Sequence, residues 1–189
     1  MTDAEIEHLG KELALANQVV EYGVGGSTLM AVNAGCTRIC SAETDLAWIE
    51  KASENADLKA AMTDGRLDIQ HADLGKVGRW GIPVGKRLRK SWLSYPTAPW
   101  IVADAKRVDL VFVDGRFRVA SALTSALLGR QGVRILIHDM TSRPRRYRPI
   151  RKFLDEVDRV DSLCVFVRKP DVSDADLMQQ AHQSLASYY

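Results

Sequence analysis

The chain has 189 residues, of which 46% are hydrophobic and 26% charged, with a formal net charge of +2 at pH 7. That length supports one full core in a single domain over residues 1–189, and so small a charge argues against nucleic acid as a partner. No apolar run approaches the ~20 residues of a membrane span. The N-terminus lacks the apolar core of a signal peptide, and the odd number of cysteines (Cys36, Cys40 and Cys164) fits a reducing, cytoplasmic setting.

Residues 3–17 read as a helix, with Ile6, Leu9, Leu13 and Ala16 at helical spacing. A strand over 18–22 runs into the turn Gly23-Val24-Gly25-Gly26, and a helix over 27–34 follows with Ser27 expected at its N-cap. A second strand, 37–42, ends at Glu43; Asp45 then caps a helix over 45–61 with Trp48 and Ile49 on its apolar face. A third strand, 67–72, ends at Asp73. Glycines and prolines break the segment 75–99, which carries Trp80, Trp92 and Tyr95 among Lys86, Arg87, Arg89 and Lys90, with Trp100 just beyond. A loop that long is usually either functional or disordered; among functional readings a lid over a flat substrate ranks first, a homodimer interface second and single-stranded nucleic acid third.

A helix over 100–107 precedes a fourth strand, 109–113, which ends at Asp114. A helix over 119–129 leads to a fifth strand, 134–138, closing at His138-Asp139. A basic loop with Arg143, Arg145, Arg146 and Arg148 joins a helix over 149–156, and one more strand spans 162–168. The terminal helix begins after Asp171, capped by Ser173 with Asp176 at the capping-box position. Strand and helix alternate throughout. The expected fold is therefore α/β: a three-layer, doubly wound sheet of six or seven mostly parallel strands with helices on both faces.

The glycine turn lets backbone N–H groups approach a ligand that a Cβ would hold off. Glu43 lies about 20 residues further on, the spacing at which a carboxylate meets the ribose of a bound nucleotide. Glu43, Asp73, Asp114 and Asp139 each close a strand, and in a parallel sheet those ends share one edge. Together Glu21-x-Gly23-x-Gly25, Glu43, Asp73 and Asp109-Leu110-Val111-Phe112-Val113-Asp114 resemble the class I S-adenosylmethionine-dependent methyltransferases over residues 15–168. Within that class the chain is most similar to a small methyltransferase-like branch near the catechol- and macrocin-type O-methyltransferases.

The resemblance implies a Rossmann-like fold and S-adenosylmethionine as cofactor, held by Glu21, Gly23, Gly25, Ser27, Glu43, Asp73 and Asp114. It also implies methyl transfer to a small-molecule acceptor, most readily at oxygen, with Asp114 and Asp139 as catalytic acids and as the ligands of a Mg²⁺ ion. Met140 departs from that pattern where the related enzymes carry Asn. His138 is a candidate general base; His71 reads as structural, and His8 and His182 as surface residues. The arginines after Asp114 (Arg116 and Arg118) and in the basic loop fit either a solvated basic face, which ranks slightly first, or an anionic acceptor, and the interleaved aromatics fit a flat acceptor. Two other functions remain: a binding protein that keeps the cofactor pocket without transfer, and an NAD(P)-dependent oxidoreductase, which Thr28 in the place of the third dinucleotide glycine disfavours.

Overall fold

The computed structural model describes residues 1–85, 91–142 and 144–186. Lys86, Arg87, Arg89, Lys90, Arg143 and the Trp80 side chain lie outside the described residues. Among the described residues seven strands form one sheet: β1 (Gln18–Tyr22), β2 (Arg38–Glu43), β3 (Leu67–His71), β4 (Leu110–Val113), β5 (Arg134–Ile137), β6 (Leu154–Val160) and β7 (Leu163–Arg168). Their spatial order is β3-β2-β1-β4-β5-β7-β6. The first five run parallel, and β7 is antiparallel to both β5 and β6.

Eight helices flank the sheet among the described residues: α1 (Asp3–Ala14), α2 (Gly26–Asn33), α3 (Leu46–Ser53), α4 (Ala56–Thr63), α5 (Ser94–Val102), α6 (Arg118–Leu128), α7 (Arg148–Phe153) and α8 (Asp174–Ser184). Successive side chains of a strand point to opposite faces, and the two faces of β4 show the layering. Leu110 and Phe112 share a core with Leu9 and Leu13 of α1, Ala31 and Val32 of α2, and Leu58 and Ala61 of α4. Val111 and Val113 share the other core with Tyr95 and Trp100 of α5, Ala120 and Leu123 of α6, and Leu177 and Ala181 of α8. The three-layer, doubly wound sheet expected from the sequence is present with all seven strands. No described helix is long and apolar enough to cross a membrane.

Three elements differ from expectation. The helix over 45–61 is two helices, because Asn55 turns its side chain onto the amides of Asp57 and Leu58 and caps α4. The helix placed at 100–107 is α5, shifted toward the N-terminus: Pro96 sits in its first turn, where an amide has no intrahelical acceptor. The helix over 149–156 stops at Phe153, and β6 begins. That strand exposes Asp155, Glu156, Asp158 and Arg159 at the sheet edge, with a bulge between Glu156 and Asp158. Charge and bulging protect an edge strand from pairing with other chains, and they also erase its apolar alternation.

The chain winds outward from β1 to β3, then returns so that β4 lies against the other side of β1. The loops after β1 and β4 therefore leave the same edge of the sheet side by side, the switch point at which α/β sheets bind ligands.

Candidate functional site

The turn after β1 is built on contacts that only glycine allows at two positions. Gly23 has φ +93°, and a Cβ on it would stand 3.1 Å from Gly115 Cα in the loop after β4. Gly115 has no more room: a Cβ there would collide with the Tyr95 hydroxyl and lie 3.0 Å from Gly23 N. The two strand ends thus meet backbone to backbone.

Beneath the turn, Glu21 is 2% exposed. Its carboxylate accepts hydrogen bonds from Ser27 (2.5 Å), Thr28 (2.7 Å) and Ser41 (2.9 Å). Burial pushes this carboxyl up to about 7 against the pull of the three hydroxyls, and Asp114 pushes it the same way. Thr28 also accepts from the Gly25 amide at 2.9 Å. The threonine in the third-glycine position is therefore a tie between loop and acid. Gly25, not Ser27, is the N-cap of α2.

Glu43 ends β2 and turns its carboxylate back along the loops. Oε2 accepts from the Val24 amide at 3.2 Å, and Oε1 from the amides of Thr44 (2.6 Å) and Asp45 (3.1 Å). Asp45 caps α3 through the Ala47 amide, as expected. Trp48, expected on an apolar helix face, is 44% exposed; its indole N–H donates to the Val24 carbonyl, with Lys51 over the ring at 5.2 Å. Val24, Glu43, Thr44, Asp45 and Trp48 wall a cavity of about 490 Å³ together with Gly23, Gly25, Ser27, Tyr95, Asp114, Gly115 and Arg116. Met1, Gly26, Arg79 and Gly81 complete it; Arg79 and Gly81 lie in a 3₁₀ turn (Arg79–Gly81) held by a bridge between Val77 and Pro83.

Across the cavity, Asp114 follows β4. Its Oδ1 accepts from Arg118 Nη2 at 2.9 Å and lies 2.9 Å from His138 Nδ1. Arg118, 8% exposed, also donates to the carbonyls of Asp114, Gly115 and His138. Its Nη1 stands 3.5 Å from Asp139 Oδ2. A guanidinium therefore bridges Asp114 and Asp139, the two carboxylates expected to hold Mg²⁺. His138 lies just past the end of β5, and its Nε2 stands 3.3 Å from Glu5 Oε2. The hydrogen bond to Asp114 raises the His138 pKa against the effect of burial.

Of the expected site residues, the structure brings Gly23, Gly25, Ser27, Glu43 and Asp114 to the cavity wall. Glu21 lies under the loop and does not line it. Asp73 is exposed, its side chain accepts from the Gly75 amide as a turn residue, and it does not line the cavity. Asp139, with φ +68°, sits behind Arg118 and lines no part of the cavity. The aromatic residues Trp92, Tyr95 and Trp100, expected as an open lid, are core residues at 1%, 1% and 9% exposure. Of these, only Tyr95 reaches the cavity, where its hydroxyl accepts from the Arg116 amide at 3.2 Å. His8 is half-buried beside Asp158 rather than on the surface; His182 is exposed. Sequence reasoning missed Glu5 and the cavity-facing place of Trp48, which depend on contacts with distant segments. Arg118, grouped with the arginines expected to meet an anionic acceptor, is instead buried against Asp114, a pairing that their i,i+4 spacing signalled.

A glycine turn against the β4 loop, an acid at the end of β2 and an antiparallel seventh strand define the fold of class I methyltransferases. Solved structures agree. A methyltransferase-like protein from Silicibacter pomeroyi DSS-3 is 31% identical, with 99% of this chain and 96% of that one covered and a TM-score of 0.83. The O-methyltransferase TomG from Streptomyces achromogenes, solved with S-adenosylmethionine, shares the fold at 14% identity, covering 89% of this chain and 82% of its own, with a TM-score of 0.57. So does an RNA methyltransferase from Salinibacter ruber, solved with S-adenosyl-L-homocysteine, at 15% identity, 92% and 95% coverage and a TM-score of 0.51. No protein-family model matches the sequence, and no curated protein matches it. The chain belongs to the class I S-adenosylmethionine-dependent methyltransferases.

Proposed function

We propose that this protein transfers the methyl group of S-adenosylmethionine to a small-molecule acceptor at oxygen. The observation that carries this reading is the Asp114 carboxylate on the cavity wall. Its Oδ1 is held by Arg118 and His138, while Oδ2 has no partner among the described residues. Asp114 Oδ2 is thus the atom that orients an acceptor hydroxyl and takes its proton.

The residues present fit the cofactor. The loop at Gly23, Gly25 and Ser27 offers backbone to the ligand, Glu43 offers a carboxylate to the ribose hydroxyls, and the Trp48 ring offers an apolar wall. Bound there, S-adenosylmethionine supplies an electrophilic methyl carbon whose sulfonium bond breaks, its electron pair going to sulfur, as the bond to the acceptor oxygen forms. Glu21 supports the loop from below, and Asp139 supports Arg118. No step runs through Mg²⁺, because Arg118 already neutralises the carboxylates that would ligate it. Arg79 and Arg116 on the wall support an acceptor that carries an anionic group. The turn at Arg79–Gly81 supports reading the start of the 75–99 insertion as a cover for the cavity. Three free, buried cysteines support a reducing compartment.

Titration with S-adenosylhomocysteine tests the reading, with NADH as control. Micromolar binding of S-adenosylhomocysteine alone is expected in the wild type. Glu43→Ala should weaken it about 10- to 100-fold, the loss of a charge-assisted hydrogen bond. Asp114→Asn should leave binding within about threefold and lower methyl transfer about 10²- to 10⁴-fold, the usual worth of a general base. Binding of NADH instead, or undiminished transfer by Asp114→Asn, would overturn it.

A further inference from the structure

Behind Asp114, parts of the chain far apart in sequence meet at one imidazole. His138 Nδ1 lies 2.9 Å from Asp114 Oδ1, and Nε2 lies 3.3 Å from Glu5 Oε2. An ionised carboxylate only accepts hydrogen bonds, so both ring nitrogens are satisfied together only when both carry hydrogen. Glu5 is 1% exposed, yet it collects donors suited to an ionised acid: the Thr2 amide (2.8 Å), the Ser162 amide (2.9 Å) and the Ser162 hydroxyl (2.6 Å). Burial pushes the Glu5 carboxyl up, but these donors and His138 outweigh it and hold it at about 2. The remaining charges near the ring are Arg118, which disfavours the imidazolium, and Asp139 on the far side of that guanidinium.

We propose that Glu5 is a positioning residue for methyl transfer: it fixes His138 as the imidazolium, which clamps Asp114 Oδ1 and leaves Oδ2 turned to the acceptor. This rests on the reading of the cavity as a methyl-transfer site. The logic is that of a buried acid fixing the protonation and orientation of a histidine behind a reacting group. Without the Glu5 charge, Arg118 is opposed only by Asp114 and Asp139, and His138 loses the partner that makes its second proton favourable. A neutral His138 has one ring hydrogen to place: on Nδ1 it keeps the bond to Asp114 Oδ1, and on Nε2 it leaves a lone pair facing Oδ1 and the clamp opens, so only the imidazolium always holds the clamp.

The experiment is a ¹⁵N NMR titration of the His138 ring in the wild type, Glu5→Gln and Glu5→Asp, with S-adenosylhomocysteine affinity measured on the same samples. In the wild type, both ring nitrogens should carry hydrogen in more than half of the molecules at pH 6.5, the ordinary imidazole midpoint. Glu5→Gln should move the midpoint down while leaving affinity within about twofold, and Glu5→Asp should recover part of the shift. A merely structural helix staple would leave the midpoint in place. An unchanged midpoint in folded Glu5→Gln overturns the proposal; should that variant not fold, a neutral His138 in the wild type at pH 6.5 overturns it equally. Failure of the wild type to bind S-adenosylhomocysteine overturns the reading of the cavity, and with it the catalytic purpose of Glu5, independently of the titration.

Discussion

Replacing Gly115 by alanine tests whether the closeness of the two loops makes the pocket. Gly115 lies outside the left-handed region, so alanine is conformationally allowed and its effect is steric. The added methyl would collide with the Tyr95 hydroxyl and stand 3.0 Å from both Gly23 N and the Tyr22 carbonyl carbon. Tyr95 cannot swing aside, since it is 1% exposed and its ring packs at 5.7 Å from Tyr22 and 5.9 Å from Phe117. The backbone can yield only by separating β1 from β4. Overpacking of this kind costs about 1–3 kcal/mol, and about 2 kcal/mol lowers the melting temperature by about 4–8 °C in a chain of this size. Because Gly23 would move, S-adenosylhomocysteine affinity should fall about tenfold as well, or about 1.4 kcal/mol. Urea denaturation and ligand titration read the two effects separately. Adding Tyr95→Phe removes one of the three clashes, so the double variant should recover part of the stability as a coupling of about 0.5–3 kcal/mol. A Gly115→Ala protein within about 0.5 kcal/mol of the wild type, with unchanged affinity, would refute the packing argument.

Glu21, near 4.5 when unfolded, is raised to about 7 by burial in the native state. Between those values the native state binds the extra proton, so this stabilising contribution is complete below about pH 4.5 and is lost as pH rises through about 7. Stability measured across that window should therefore decline in the wild type relative to Glu21→Gln, with parallel curves above it; curves parallel throughout would contradict the assignment. Mg²⁺ and EDTA should each leave S-adenosylhomocysteine affinity and melting temperature unchanged, because Arg118 bridges the two candidate ligands; a Mg²⁺-dependent rise in either would show the guanidinium to be displaceable. Cys36, Cys40 and Cys164 are buried, and burial raises each thiol pKa. Their reaction with a disulfide reagent should be limited by unfolding, and rapid labelling of the native protein would contradict that.

How legible the sequence was depended on the range of the interactions. The strands β1, β4 and β5 announced themselves because a strand buried on both faces is a short apolar run ended by a turn. Glu43 was legible for the same reason: it sits at a fixed distance from the glycines and at a strand end. Glu21 carried the right motif but not its geometry. Whether it met ligand or loop depended on three hydroxyls, and Ser41 comes from the neighbouring strand. Tyr95 and Trp100 looked like lid residues because Pro96 and Pro99 hid the helix that turns them inward. β6 was illegible in a more general way, since an exposed edge needs charge where a buried strand needs valine. Glu5 looked like any acid in the first turn of a helix, and only the fold brought His138 and Ser162 to it.

The hairpin of β6 and β7 also ties distant parts of the chain together behind the pocket. Thr2 donates to Asp161 at 2.7 Å, Glu5 accepts from Ser162, and Glu12 pairs with Arg134, joining the first turns of the chain to residues more than a hundred positions later. Loops that long are slow to close. The first turn of α1 couples the β6–β7 turn to His138 through Glu5, while the glycine turn is held separately, from the loop after β4.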